Sequence, residues 1–233
     1  MPPRLLIVKL AALGDADAAA AQYRQAHALI GWPESQRHGY VFTHDYFSSN
    51  IPQWRDWFAT HITAAPIAAL EIGSWQGGSA CWLLDAVVAP RGGHLTCIDT
   101  FAGSSEHEGL AAAGPGALEA AFDANIARSL QGARVRKLAG RSQDVLPRLH
   151  GERFDFIYID GAHEAKFVIQ DAVLCWGLLP AGGHMLFDDV PFAFAAAPEQ
   201  DTARAIDFFL SVFRDDVTVI ARGRQLLLRR ERD

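Results

Sequence analysis

The sequence predicts an α/β protein built on a mostly parallel seven-stranded sheet, finished by an antiparallel C-terminal hairpin and carrying helices on both faces. Three observations predict it. From residue 66 onward, short apolar runs alternate with segments of helical periodicity. The run Leu70-Glu-Ile-Gly-Ser-Trp-Gln-Gly-Gly-Ser79 passes from an aliphatic strand through a glycine corner into a helix, which is how a parallel sheet opens a nucleotide-sized pocket. Two apolar runs flank Arg222-Gly-Arg224, a hairpin signal.

In chain order, a short apolar stretch at 5–10 precedes an alanine-rich helix at 15–30, ended by Gly31-Trp-Pro33. Residues 1–39 are therefore expected to form an N-terminal helical extension, available for a homo-oligomeric contact, and 40–233 the main domain. The aromatic-rich lead-in at 40–58 contains His44, Asp45 and Asn50, which could touch a ligand or serve as loop and capping residues. Its helix, with Trp54, Trp57 and Phe58, is placed to cover a pocket. Strands are expected at 67–72, 94–99, 134–139, 154–160 and 183–188, with helices at 78–88, 117–130, 143–149, 164–178 and 202–213. The loops at 101–116 and 190–200 follow strand C-terminal ends, the edge where open α/β sheets bind ligands.

With 233 residues, half of them hydrophobic, the chain can bury one sizeable core. The net charge of −6 argues against nucleic-acid binding, which needs a basic face. Arg229, Arg230 and Arg232 read as a solvated strand end. Cys81, Cys97 and Cys175 lack metal spacing and read as reduced core residues of a cytoplasmic protein. No run reaches the roughly 18 apolar residues of a membrane span. Met1-Pro-Pro-Arg also lacks the apolar region of a signal peptide.

The chemistry begins at the glycine corner. Its spacing is G-x-x-x-G-G, unlike the dinucleotide fingerprint, and Glu71 at the strand end would repel a pyrophosphate, so a guest with hydroxyls or an amine suits it better. Asp99 ends the second strand, where an acid accepts hydrogen bonds from ribose hydroxyls; the alternative is a helix-capping or loop aspartate. Ser142-Gln-Asp144 reads as a helix N-terminus, a serine cap with an acid in the first turn. Phe156-Ile-Tyr-Ile-Asp160-Gly-Ala-His163 and His184-Met-Leu-Phe-Asp188-Asp189 are joined by one helical crossover, so their strands are expected to be parallel neighbours. That brings three carboxylates together, and hard oxygen ligands suit Mg²⁺ better than zinc. The alternative is a capping aspartate and a solvated one, without metal. His184 reads as a core histidine, and Lys166 as part of a solvated helix face or an alternative base. Phe101, Phe192 and Phe194 read as pocket walls or ordinary packing.

Taken together, residues 71–79, Asp99 and Gly140-Arg-Ser-Gln-Asp-Val-Leu-Pro-Arg-Leu149 resemble the S-adenosylmethionine site of class I methyltransferases, which have a Rossmann-like fold. The last segment is similar to the catechol O-methyltransferase pattern. The resemblance implies that Glu71, Gly73, Trp75, Ser79 and Asp99 bind cofactor, with Gly73, Trp75 and Ser79 near the methionine part, Asp99 on ribose, and Ser142 and Gln143 at the adenine. The acidic segments resemble bacterial metal-dependent O-methyltransferases of natural-product sugars over roughly residues 40–230. That resemblance implies Asp160, Asp188 and Asp189 as Mg²⁺ ligands and His163 as the base; catechol enzymes carry a lysine at that position. The implied reaction moves a methyl group to a hydroxyl of a small molecule, a sugar or a catechol. The alternatives are a nicotinamide-dependent oxidoreductase, which would need G-x-G-x-x-G and no acidic doublet, and a non-catalytic cofactor-binding protein.

Overall fold

The computed structural model describes residues 38–103, 116–190 and 201–233. The expected helix at 15–30, Phe192, Phe194 and most of the two glycine-rich loops lie outside these residues. The described residues group into two compact units, one drawn from those within 64–73, 91–100 and 136–233, the other from those within 38–63, 74–90 and 101–135.

The first unit holds the sheet. Its strands are β1 (Ala68–Ile72), β2 (His94–Asp99), β3 (Val135–Ala139), β4 (Phe156–Ile159), β5 (His184–Phe187), β6 (Val217–Arg222) and β7 (Leu226–Arg230), in spatial order β3-β2-β1-β4-β5-β7-β6. β1 runs parallel to β2 and to β4, and β4 parallel to β5. The hairpin adds β7 antiparallel to β5, with β6 outermost. The order reverses between β1 and β4, so the ends of these strands flank a topological switch point, the usual crevice for a ligand in such sheets.

Side-chain alternation explains the layering. Leu70 and Ile72, Ile157 and Ile159, Met185 and Phe187, and Leu226 and Leu228 alternate along their strands and join one buried cluster with Val168, Ala172, Cys175, Ile206 and Phe209. The last five come from the helices Ala165–Trp176 and Thr202–Val212, whose apolar stripes cover that face. The opposite alternation places Cys97, Glu71 and Tyr158 in one row across β2, β1 and β4.

Several local expectations are corrected. The helix at 143–149 is α-helical only over Ser142–Val145 and continues as a 3₁₀ turn over Leu146–Leu149, because Pro147 cannot donate into an α-helical ladder. Its N-cap is Arg141 and not Ser142, whose hydroxyl is bonded to Asp171. The C-terminal basic cluster is not uniformly solvated either. Arg230 is 13% exposed; its guanidinium donates to the Trp176 carbonyl at 2.9 Å and to that of Leu179, and lies 4.5 Å from the Trp176 ring. The end of a helix leaves carbonyls that need donors, and the planar guanidinium can serve two of them while stacking on an aromatic face. Arg229 and Arg232 do stay outside, paired with Glu231 and Asp216.

The second unit contains the helices Ile51–Thr60, Gly78–Leu83 and Ala117–Arg128. An aromatic core of Phe47, Trp54, Phe58 and Trp82 holds it, with ring centroids 4.9–6.1 Å apart. The expected helix at 78–88 becomes a π turn over Leu84–Val88. Asp85 in that turn accepts hydrogen bonds from Tyr40 at 2.5 Å and Ser129 at 2.8 Å. Cys81, Cys97 and Cys175 are buried thiols outside any disulfide. No described helix is long and apolar enough to cross a membrane.

Candidate functional site

The C-terminal edge of the sheet gathers the residues that carry chemistry. Gly73 follows β1 with φ +87°, and a Cβ there would lie 2.0 Å from the carbonyl oxygen of Asp160. Any side chain would therefore push the loop after β4 away. The Gly73 amide donates to Ile98 O (2.9 Å) and the Asp160 amide to Ile72 O (2.9 Å), which fixes both loops to the strand ends. On the far side of β1, the Gly140 amide donates to Asp99 O at 2.8 Å, anchoring the turn before Ser142. Glu71 is fully buried, and the Cys97 thiol donates to its carboxylate at 3.6 Å. Asp99 is half-buried at the end of β2.

The glycine corner then continues in the helical unit. Trp75 has φ +49°, a left-handed conformation that costs a non-glycine residue on the order of 1 kcal/mol and is often retained at functional sites. Its ring meets the edge of Tyr46 at 6.2 Å, and Tyr46 stacks on His44 at 5.5 Å. The helix is capped by Gly77, also at positive φ, and Ser79 is buried in its first turn. Asp45 accepts the amides of Phe47 (3.2 Å) and Ser48 (2.7 Å), a turn-stabilising role. Phe101 packs on Phe122 with centroids 5.1 Å apart.

Ser142 and Gln143 converge on a residue that the sequence reading missed. Asp171, in the middle of the helix Ala165–Trp176, is buried and accepts the Gln143 Nε2–H at 3.0 Å and the Ser142 hydroxyl. Burial pushes its carboxyl up to about 6, against the lowering effect of these two donors. A signal was present: Asp171 is an acid on the helix face otherwise made by Val168, Ala172 and Cys175.

At the ends of β4 and β5 lie the acids. Donor atoms of Asp160, His163 and Asp189 all fall within 4.8 Å of one another, and His163 Nε2 is 3.2 Å from Asp189 Oδ2. The third expected ligand, Asp188, stands next to this group with its carboxylate engaged elsewhere. Its Oδ1 accepts the Asp189 amide at 2.7 Å, and its Oδ2 accepts Gln225 Nε2 at 2.9 Å and the Tyr158 hydroxyl. The same phenol lies 2.8 Å from Asp160 Oδ2. Burial, together with Asp188 and Asp189, holds the Asp160 carboxyl well above its ordinary range, with His163 and Tyr158 opposing. Burial and the two carboxylates also raise the Tyr158 phenol. Asp189 itself has φ +50°. Tyr158 and Gln225 were not singled out in the sequence, although a tyrosine two residues before Asp160 shares its side of the strand. His184 is buried at the opposite end of β5, as a core residue would be, and Lys166 lies 4.6 Å from the Phe167 ring on an exposed helix face.

With this geometry, the chain belongs to the methyltransferase domain family, whose model matches residues 70–190, just over half of its 233 residues. A provisionally named O-methyltransferase of Mycobacterium sp. (strain JLS) is 32% identical over 161 residues, covering 68% of this chain and 63% of that relative. The chain thus spans less than two thirds of the relative's length. Among solved structures, the O-methyltransferase TomG from Streptomyces achromogenes, involved in tomaymycin synthesis and seen with SAM, superposes with TM-score 0.59 at 18% identity, covering 91% of this chain and 89% of that one. MycE from the mycinamycin pathway, seen with Mg, SAH and mycinamycin VI, gives TM-score 0.57 at 16% identity, covering 85% and 53%. These likenesses establish the Rossmann-like class I methyltransferase fold.

Proposed function

We propose that the chain is an S-adenosylmethionine-dependent O-methyltransferase that uses a divalent cation, Mg²⁺ or a close substitute, to methylate a hydroxyl of a small molecule. The observation that carries this reading is the cluster of Asp160, His163 and Asp189 at the ends of two neighbouring strands in a methyltransferase-family fold. TomG, involved in tomaymycin synthesis, and MycE, of the mycinamycin pathway and seen with Mg, support it by analogy of fold.

The residues fit the cation. Asp160 is surrounded by like charge and low dielectric, an arrangement that a bound cation would relieve, and the donor set is rich in hard oxygens. Asp160 and Asp189 would hold it, with Asp188 beside them. When bound, a divalent cation orients adjacent substrate oxygens and lowers the pKa of the attacked hydroxyl. His163 takes the hydroxyl proton on its imidazole ring. Methyl transfer from a sulfonium requires in-line alignment, so the cofactor must be rigidly held: Asp99 on the ribose, Gly73, Trp75 and Ser79 near the methionine part, Ser142 and Gln143 at the adenine. Adjacent oxygens on a sugar or a catechol both satisfy this chemistry.

A second reading follows from the donor cluster: His163 is a ligand and not the base. Calorimetry with Mn²⁺ separates the two, since His163→Ala weakens metal binding only if the imidazole is a ligand. For the main proposal, methyl transfer should stop with chelator and return with Mg²⁺, and S-adenosylhomocysteine should bind in calorimetry. Activity persisting in chelator would refute the metal role. Binding of NAD with no heat from S-adenosylhomocysteine would refute the cofactor assignment.

A further inference from the structure

Asp171 is costly where it stands. A carboxylate buried on an apolar helix face is less favourable than a hydrophobic residue of similar size unless its bonds serve a purpose. Its described partners are neutral donors, the Gln143 amide at 3.0 Å and the Ser142 hydroxyl. A Cβ placed on Gly161 would lie 3.8 Å from its Oδ2, so the carboxylate also borders the loop that leads to His163. Both residues that it holds are the ones assigned to the adenine.

An ionised carboxylate only accepts hydrogen bonds, whereas an amide offers N–H at one end and C=O at the other. Whichever end of Gln143 meets Asp171 must therefore be the N–H end, and Oε1 is the end turned away from it. A carbonyl oxygen facing a purine 6-position is satisfied by an exocyclic amino group. Against a 6-oxo group, two acceptors would face each other, and at least one would lose its partner.

We propose that Asp171 sets the base specificity of the cofactor pocket by fixing the orientation of the Gln143 amide, so that the site favours a 6-aminopurine over a 6-oxopurine. This rests on the reading of Ser142 and Gln143 as the adenine side of an S-adenosylmethionine site. Asp171 is a positioning residue, acting through Gln143.

The test is calorimetry at neutral pH with S-adenosylhomocysteine and its 6-oxo analogue, S-inosylhomocysteine, on the full chain and on Asp171→Asn, Asp171→Ala and Gln143→Met. The unmodified chain should favour the adenine ligand by about tenfold or more, since a site built for a donor rejects an analogue lacking it. In Asp171→Asn, the new amide can accept or donate, so either orientation of Gln143 is tolerated. Its adenine affinity should then stay within about threefold while the preference collapses. Asp171→Ala and Gln143→Met should lose the preference too. A preference unchanged in Asp171→Asn, or equal weakening of both ligands, overturns the proposal and leaves a structural role. If Asp171→Ala fails to fold, the near-isosteric Asp171→Asn and the Gln143→Met variant still decide. No preference in the unmodified chain also overturns it. No binding of S-adenosylhomocysteine to the unmodified chain instead overturns the cofactor reading on which it depends.

Discussion

The ends of β1, β2 and β3 and the ends of β4 and β5 carry the two halves of the candidate chemistry, and they are held in different ways. The first half is fixed by main chain: Gly73 N–H to Ile98, Gly140 N–H to Asp99, and a glycine too close to the Asp160 carbonyl to tolerate a side chain. The second half is held by side chains of like charge, Asp160 and Asp188 joined through one phenol, with His163 against Asp189. Backbone hydrogen bonds involve no titratable group, so the geometry of this edge does not depend on pH. Carboxylates packed together at low dielectric are strained electrostatically, so the acid cluster is the half whose state depends on what it binds.

The largest break in this comparison is expected from Asp160→Asn. Removing a carboxylate proposed to hold the cation should cut methyl transfer by roughly 10³-fold, equivalent to several kcal/mol, with the melting temperature equal to or above that of the unmodified chain. A steady-state assay with a thermal melt checks both parts, and a fall in stability would mean that the cluster is not strained. His163→Ala should lower turnover by roughly 10² or more with S-adenosylhomocysteine affinity unchanged; full turnover would remove it from the chemistry. On the main-chain side, Gly73→Ala should do the opposite of Asp160→Asn. Overpacking against the Asp160 carbonyl and an unfavourable φ should cost about 3 kcal/mol of stability and lower the urea midpoint.

Asp171 sharpens the contrast, because it holds Gln143 and Ser142 beside the first half yet carries the cost typical of the acid side. Its carboxyl is pushed up to about 6 in the folded chain, against about 3.9 unfolded. Between these values the folded state binds more protons, so this residue makes stability fall as pH rises from about 4 to about 6, by at most about 3 kcal/mol, and then level off. Urea denaturation across that range should show stability falling less, or rising more, with pH for Asp171→Asn than for the unmodified chain; equal dependences would mean that its carboxyl titrates normally. The smallest effect is expected from Tyr158→Phe. Loss of the phenol that supports Asp160 and Asp188 should weaken Mn²⁺ binding about tenfold in calorimetry, with the fold intact.

Much of the framework was legible in the chain. The expected strands at 67–72 and 94–99 correspond to Ala68–Ile72 and His94–Asp99, and the hairpin at Arg222–Arg224 joins two antiparallel strands. Parallel pairing of β4 with β5, inferred from a single crossover helix, is also observed. What escaped were contacts without a period. Asp171 lies 28 residues beyond Gln143, Gln225 lies 37 beyond Asp188, and Arg230 lies 54 beyond Trp176. No local pattern announces that such side chains will meet.

By itself the sequence determined the order of strands and helices, the glycine corner and the placing of acids at strand ends. All of these are set within a few residues by side-chain alternation, turn chemistry and the handedness of a crossover. Only the tertiary structure decided which oxygen each acid would face: Asp188 toward Tyr158 and Gln225, Asp189 toward His163, Asp171 toward the Gln143 amide. A buried polar atom must take whatever partner the packed sheet brings within 3 Å or so, and that choice is made between segments far apart in the chain.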